Sequence, residues 1–185
     1  MEATHAKDNP TAHIEPLLGD LENELAYVDR QSEKIRSKGG EDAKYEYTRW
    51  ITYYVNKSKR NKDWYYRLTY SVASLSAVIA VISSISAVAE GASLFDVAII
   101  TISSISAVLS VIASTTHPQE NWIRLRKCAM RIEMEANKLI DGVGDYSAEK
   151  CEGFSTEDYC SVFKENLCKI VQKETNKWIK LMSVK

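Results

Sequence analysis

The sequence predicts an all-α membrane protein: a two-transmembrane helical hairpin whose helices extend into a cytoplasmic helical bundle. Three observations predict it. Charged residues crowd both ends of the 185-residue chain, and none stands between Arg67 and Glu90. A second charge-free run follows Asp96 and lasts until Glu120. Basic residues flank the two runs on their outer sides, whereas the short connection between them carries Glu90 and Asp96 and no Lys or Arg.

The first span is predicted over about 68–89, where Leu68 to Ala89 reads LTYSVASLSAVIAVISSISAVA. About 20 apolar residues in a helix match the ~30 Å hydrocarbon core of a bilayer. The second is predicted over about 94–114, with Asp96 near one interface and a charge-free run from Val97 to Ser114. So short a connection makes the two spans a tight antiparallel pair. A buried hairpin in a soluble bundle is the rival reading, but helices of soluble bundles keep a charged face, and these have none.

Orientation follows from the flanks. Lys57, Lys59, Arg60, Lys62 and Arg67 precede the first span, and Arg124, Arg126 and Lys127 follow the second. The positive-inside rule places both termini in the cytoplasm and the protein in the inner or plasma membrane. Trp64, Tyr65, Tyr66 and Tyr70 gather where the first span meets that face, as interface anchors do. The basic run reads first as a topology and lipid-anchoring feature.

The rest divides into an N-terminal tail with an amphipathic helix, 1–40, and the two-transmembrane domain itself, 41–185. Residues 1–13 are expected to be disordered. From near Pro16, Leu17, Leu21, Leu25 and Val28 recur at helical spacing up to a break at Lys38-Gly39-Gly40. Tyr47, Trp50, Ile51 and Tyr54 then line a helix over about 41–67 that leads into the first span. His117-Pro118 breaks the chain after the second. A further helix over about 119–141 carries Trp122, Leu125, Ala129, Ile132, Ala136 and Leu139 on one side and ends at Gly142 and Gly144. Ser155 or Thr156 caps a last helix over about 155–182, with Tyr159, Phe163, Leu167, Ile170, Trp178 and Leu181 as its apolar stripe.

Within the spans the small residues are the most informative. Ala73, Ala77, Ala80, Ser84 and Ala87 step by three and four along one seam of the first, and Ser103, Ser106 and Ser110 do so in the second. Small residues let helix backbones approach in lipid, so a helix-packing role within the hairpin and its homo-oligomer is expected of these seams. The functional reading makes Asp96, Ser103, Ser106 and Ser110 pore-lining candidates, with a carboxylate ring favouring cations at the mouth. The heptapeptide ISSISAV occurs at Ile82–Val88 and again at Ile102–Val108, which compositional drift in Ser, Ile, Ala and Val accounts for.

Composition narrows the function classes. A formal net charge of −1 does not point to nucleic acid. No phosphate-binding loop, dinucleotide fingerprint or nucleophile elbow occurs, and His5, His13 and His117 sit in no metal-binding pattern. No enzyme activity, cofactor or metal is expected. Glu133 and Glu135 read as part of a solvated charged face. Cys128, Cys151, Cys160 and Cys168 have neither C-x-x-C nor zinc spacing and read as small buried hydrophobes, reduced in a cytoplasmic location. No secretory signal is read at the N-terminus, because the first apolar run begins only at Leu68.

Asp63-Trp64-Tyr65 ahead of the first span, Glu120-Asn121-Trp122 and Arg126 after the second, Glu133 and Glu135, Gly144-Asp145-Tyr146, and the last helix with Phe163 and Trp178 follow a recognisable order. In that order the chain resembles the SLATT family, two-transmembrane effector domains associated with SMODS nucleotidyltransferases and SLOG sensors, over approximately residues 45–182. The resemblance implies a pore-forming, oligomerising membrane effector of bacterial conflict systems that blocks phage spread. It also implies partner proteins that make or sense nucleotide signals. No sensor or nucleotidyltransferase accompanies the domain in this sequence, and the rival role is a membrane-anchored scaffold whose cytoplasmic helices bind partners.

Overall fold

The computed structural model describes residues 21–86 and 93–183; of these, 92 % are helical and none is in a strand. The elements are α1 (Leu21–Ser86), α2 (Ser93–Thr116), α3 (Pro118–Asp141), a 3-10 turn (Gly144–Tyr146) and α4 (Thr156–Ser183). They cluster into two compact units, one of residues up to Val55 with those from Arg126 onward, the other Asn56–Leu125.

In the first unit the chain doubles back at the predicted glycine break. Gly40 has φ 77 and ψ −176, a region of backbone space left essentially to glycine. Two helical arms meet at this kink, and the contacts between them show that the chain reverses. In a straight helix Tyr27 and Tyr47 would stand about 30 Å apart, yet their hydroxyls donate to the two oxygens of one carboxylate, Glu133. Nearer the bend, Lys44 Nζ lies 2.5 Å from Glu33. Gly39 has its own reason to lack a side chain, since a Cβ there would fall 2.7 Å from that of Ala43.

Two arms of α1 therefore pack with α3 and α4 around one core. Val28 and Ile35 come from the first arm, and Ala43, Tyr47 and Ile51 from the second. Ala129, Ile132, Ala136 and Leu139 of α3 meet them as their spacing predicts, with Phe163 and Leu167 of α4. Farther along α4 the expected stripe leaves the core, and Trp178 is exposed. Ser155 caps α4 reciprocally: its N–H and hydroxyl donate to Asp158 at 2.8 and 2.7 Å, while the Asp158 N–H donates back to the hydroxyl at 3.3 Å. These bonds hold the Asp158 carboxyl below its usual range.

Two expectations are corrected here. Glu133 and Glu135 are buried, not solvated, because α3 is enclosed on more of its circumference than its apolar residues cover. Cys128, Cys151 and Cys160 are buried as expected, but Cys168 is exposed, one residue round from Leu167.

The second unit holds the apolar helices. The most apolar 18-residue stretches of α1 and of the helix starting α2 have mean hydropathy 1.8 and 2.2, and 6 % and 0 % of their residues are buried. A core helix of a soluble protein would be mostly covered, so these are two bare helices long and apolar enough to cross a membrane. α2 ends at the expected break, where His117 has φ 43 and Asn121 Nδ2 donates to the freed Thr116 carbonyl at 3.0 Å. α3 then begins at Pro118 itself, a favoured first helical residue. The Ser58 hydroxyl of α1 donates to the Trp122 carbonyl at 3.0 Å.

Candidate functional site

Serine and threonine hydroxyls in a helix can close on the carbonyl one turn back, which leaves nothing to line a path. Several here do. Ser76 and Ser84 donate to Val72 and Ala80 in α1, and Thr101, Ser104 and Ser110 to Val97, Ile100 and Ser106 in α2, all at 2.8–2.9 Å. Ser103 and Ser106 make no such bond among the described residues. Of the predicted lining set, these two therefore hold hydroxyls not already spent on the backbone.

The set does not share one environment. Asp96, Ser103 and Ser110 follow one another at seven-residue steps, which drift only about 20° per step round an α-helix, and all three are exposed. Ser106 is turned about 60° from Ser103 and is half-buried, on the side that also holds Phe95, Ile102, Leu109 and Ala113. Asp96 stands in the first turn of α2, where the helix dipole favours a carboxylate. Between these polar positions the same exposed surface carries Val97, Ile100, Val108 and Val111.

In α1 the partly covered side is aliphatic. Leu68 is buried, and Val72, Leu75, Ile79 and Ile82 are half-buried at helical spacing. The seam of Ala73, Ala77, Ala80 and Ser84 is exposed and lies about 150° round the helix from that stripe. Ala87, its fifth member, lies outside the described residues, as do the other residues of 87–92.

The four aromatic residues expected as interface anchors all lie on α1. Tyr66 and Tyr70 stack with centroids 6.0 Å apart, Tyr65 tilts against Tyr66 at 5.5 Å, and Trp64, Tyr66 and Tyr70 are exposed.

Sequence reasoning missed the polar centre of the other unit. Glu133 accepts from Tyr47 and, at 2.8 Å, from Tyr27, whose hydroxyl in turn accepts from Gln31 Nε2 at 2.8 Å. Glu135 accepts from the Tyr146 hydroxyl and Asn166 Nδ2, both at 2.8 Å, and from Lys138 Nζ at 3.0 Å. Glu24 and Arg126 add a mostly covered ion pair. Burial, then the neighbouring Glu133 charge, push the Tyr27 hydroxyl up to about 12 and the Tyr47 hydroxyl well above its usual range. Burial does the same to Tyr54 and Tyr146. The legible signal was on other helices, where tyrosines occupy core positions and each brings a donor needing an acceptor. With Glu133 and Glu135 bonded by neutral hydroxyls, an amide and a lysine, and Glu24 paired with Arg126, this centre has the character of a structural network.

Among the described residues no group of acidic, His and Cys side chains is placed to hold a metal ion. No curated protein and no solved structure matches the chain. A family model described as a protein of unknown function, DUF4231, matches residues 49–152. That stretch is more than half of the chain and takes in both bare apolar helices and α3. By that match the chain belongs to the DUF4231 family.

Proposed function

We propose that this protein enters the membrane as a helical hairpin through residues 68–86 of α1 and through α2, and assembles with copies of itself into a pore or ion channel. The observation that carries the reading is the uncovered face of α2, where Asp96 and the unbonded hydroxyl of Ser103 stand among Val97, Ile100, Val108 and Val111 while Thr101, Ser104 and Ser110 close on their own helix. Facing lipid, an unbonded hydroxyl and a carboxylate are costly to bury. Facing a water-filled axis shared by several copies, both are solvated, and repeated carboxylates favour cations. The exposed Ala73–Ser84 seam of α1 supplies a surface on which a second copy's backbone can approach closely. The positive flanks put both termini in the cytoplasm of a cell bounded by an inner or plasma membrane. The resemblance to SLATT domains supplies the setting: an effector of a bacterial anti-phage system, working with partners that produce or sense a nucleotide signal.

Single-channel recording of the purified protein in planar bilayers tests this. Discrete cation-selective conductance is expected, with selectivity or conductance changed in Asp96→Asn. Electrical silence under every trigger applied overturns it. A scaffold anchored by its spans is the second reading, favoured by the exposed Trp178 and Ile179 on α4, which offer a partner an apolar surface. It predicts that exchanging both spans for unrelated apolar helices leaves cellular activity intact, whereas the pore reading predicts loss.

A further inference from the structure

The start of the apolar part of α1 holds a groove of about 360 Å³ lined by Arg60, Asn61, Asp63, Trp64 and Arg67. Positions 60, 63, 64 and 67 fall on one side of a helix, one turn above another. Neither Arg60 nor Arg67 has a carboxylate within ion-pair distance among the described residues. Two guanidiniums about 10 Å apart along the axis thus frame an exposed indole.

We infer that this groove is a headgroup site for an anionic phospholipid bearing a free hydroxyl, of the phosphatidylglycerol type. The chemistry fits part by part. Guanidinium forks bind phosphate oxygens in pairs of parallel hydrogen bonds. Asp63 leaves the groove a net charge of +1 and gives a glycerol hydroxyl an acceptor, so the ligand is a phosphodiester with one negative charge. Depth decides for lipid over free phosphate. The apolar run begins at Leu68, directly after Arg67, and the headgroup layer on each side of the core is about 5–8 Å deep, so Arg67 and Trp64 fall within it and Arg60, about 10 Å from Arg67 along the axis, reaches it through its long side chain. Trp64, with Tyr66 and Tyr70 on the next turns, is the residue type that settles at that level. Lys59 and Lys62 point away from the groove round the helix, so they contribute charge without contributing to the site. The inference rests on the proposal that α1 enters a membrane at Leu68.

The test is native mass spectrometry of the full chain in detergent, titrated with phosphatidylglycerol and with phosphatidylcholine. Retained phosphatidylglycerol is expected on the native protein and on Lys59→Gln/Lys62→Gln. About tenfold or more weaker retention is expected in Arg60→Gln/Arg67→Gln, with helical circular dichroism unchanged in both variants. Equal weakening in the two variants overturns the site and leaves only a general field of positive charge. Equal retention of phosphatidylcholine overturns it as well. Displacement of the lipid by an equal concentration of inorganic phosphate assigns the groove to a soluble ligand. Alkaline carbonate washing of membranes separates the two proposals. A chain that stays in the pellet without lipid preference sinks this inference alone, and a chain that washes off sinks the membrane reading with it.

Discussion

Removing one oxygen from Tyr47 tests the reversal at Gly40 and the buried carboxylate together. Tyr47 is 0 % exposed and Glu133 is 3 % exposed, so the Tyr47→Phe change opens almost no cavity. It deletes a donor to a charged acceptor shielded from water. Hydrogen bonds to charged groups contribute about 1.5–3 kcal/mol, and a carboxylate left short of a donor adds to the loss. A destabilisation of about 2 kcal/mol is therefore expected. For a chain of this length that lowers the midpoint of thermal unfolding by roughly 4–8 °C, read by circular dichroism in detergent. Tyr27→Phe should cost less, because the Tyr27 side chain is half-buried. Since both hydroxyls meet one carboxylate, the double variant should depart from the sum of the two single ones. Additive effects, or a Tyr47→Phe midpoint within about 1 °C of the native protein, would refute the shared acceptor, and with it the argument that the two arms of α1 fold back on each other.

Gly40→Ala forces a Cβ into a backbone region left to glycine and should destabilise by about 1–3 kcal/mol; a neutral result in the same melting assay would mean that the bend lies elsewhere. Tyrosine absorbance followed through alkaline pH should show Tyr27 ionising near 12 rather than 10.0, with Tyr47, Tyr54 and Tyr146 also late. Raised values mean that the native state holds these protons longer than the unfolded chain. Stability is thus full below pH 10 and drains away as pH climbs toward 12 and beyond; a flat stability profile across that window contradicts the network. A thiol reagent applied to the folded chain should label Cys168 quickly and Cys128, Cys151 and Cys160 only on unfolding. Fast reaction of more than one thiol would show the bundle of α1, α3 and α4 to be more open than described.

How much of this was legible beforehand depended on the kind of signal. Helix ends were, because their causes are local: the cap at Ser155, the stop at His117-Pro118 and the bend at Gly39-Gly40 each rest on a few adjacent residues. The apolar faces of α3 and of the second arm of α1 were legible from spacing alone. Glu133 and Glu135 were not, since nothing in α3 itself says that hydroxyls from residues 27, 47 and 146 converge on them. The candidate lining set was legible as a list, but its division into exposed Asp96, Ser103 and Ser110 and half-buried Ser106 was not. Which side of an apolar helix is covered depends on the neighbour against it, and hydropathy in these runs is nearly uniform round the axis.

The amino-acid sequence by itself determined that the chain is helical and that two stretches are apolar enough to cross a membrane. Both properties are sums over neighbouring residues and need no partner to be read. Tertiary structure alone decided that α1 doubles back, that two glutamates of α3 are buried with tyrosine donors, and that the alanine seam of α1 faces outward while its aliphatic stripe is partly covered. Each of these depends on atoms far apart in the chain meeting at hydrogen-bond or van der Waals distance, and no local pattern carries that information.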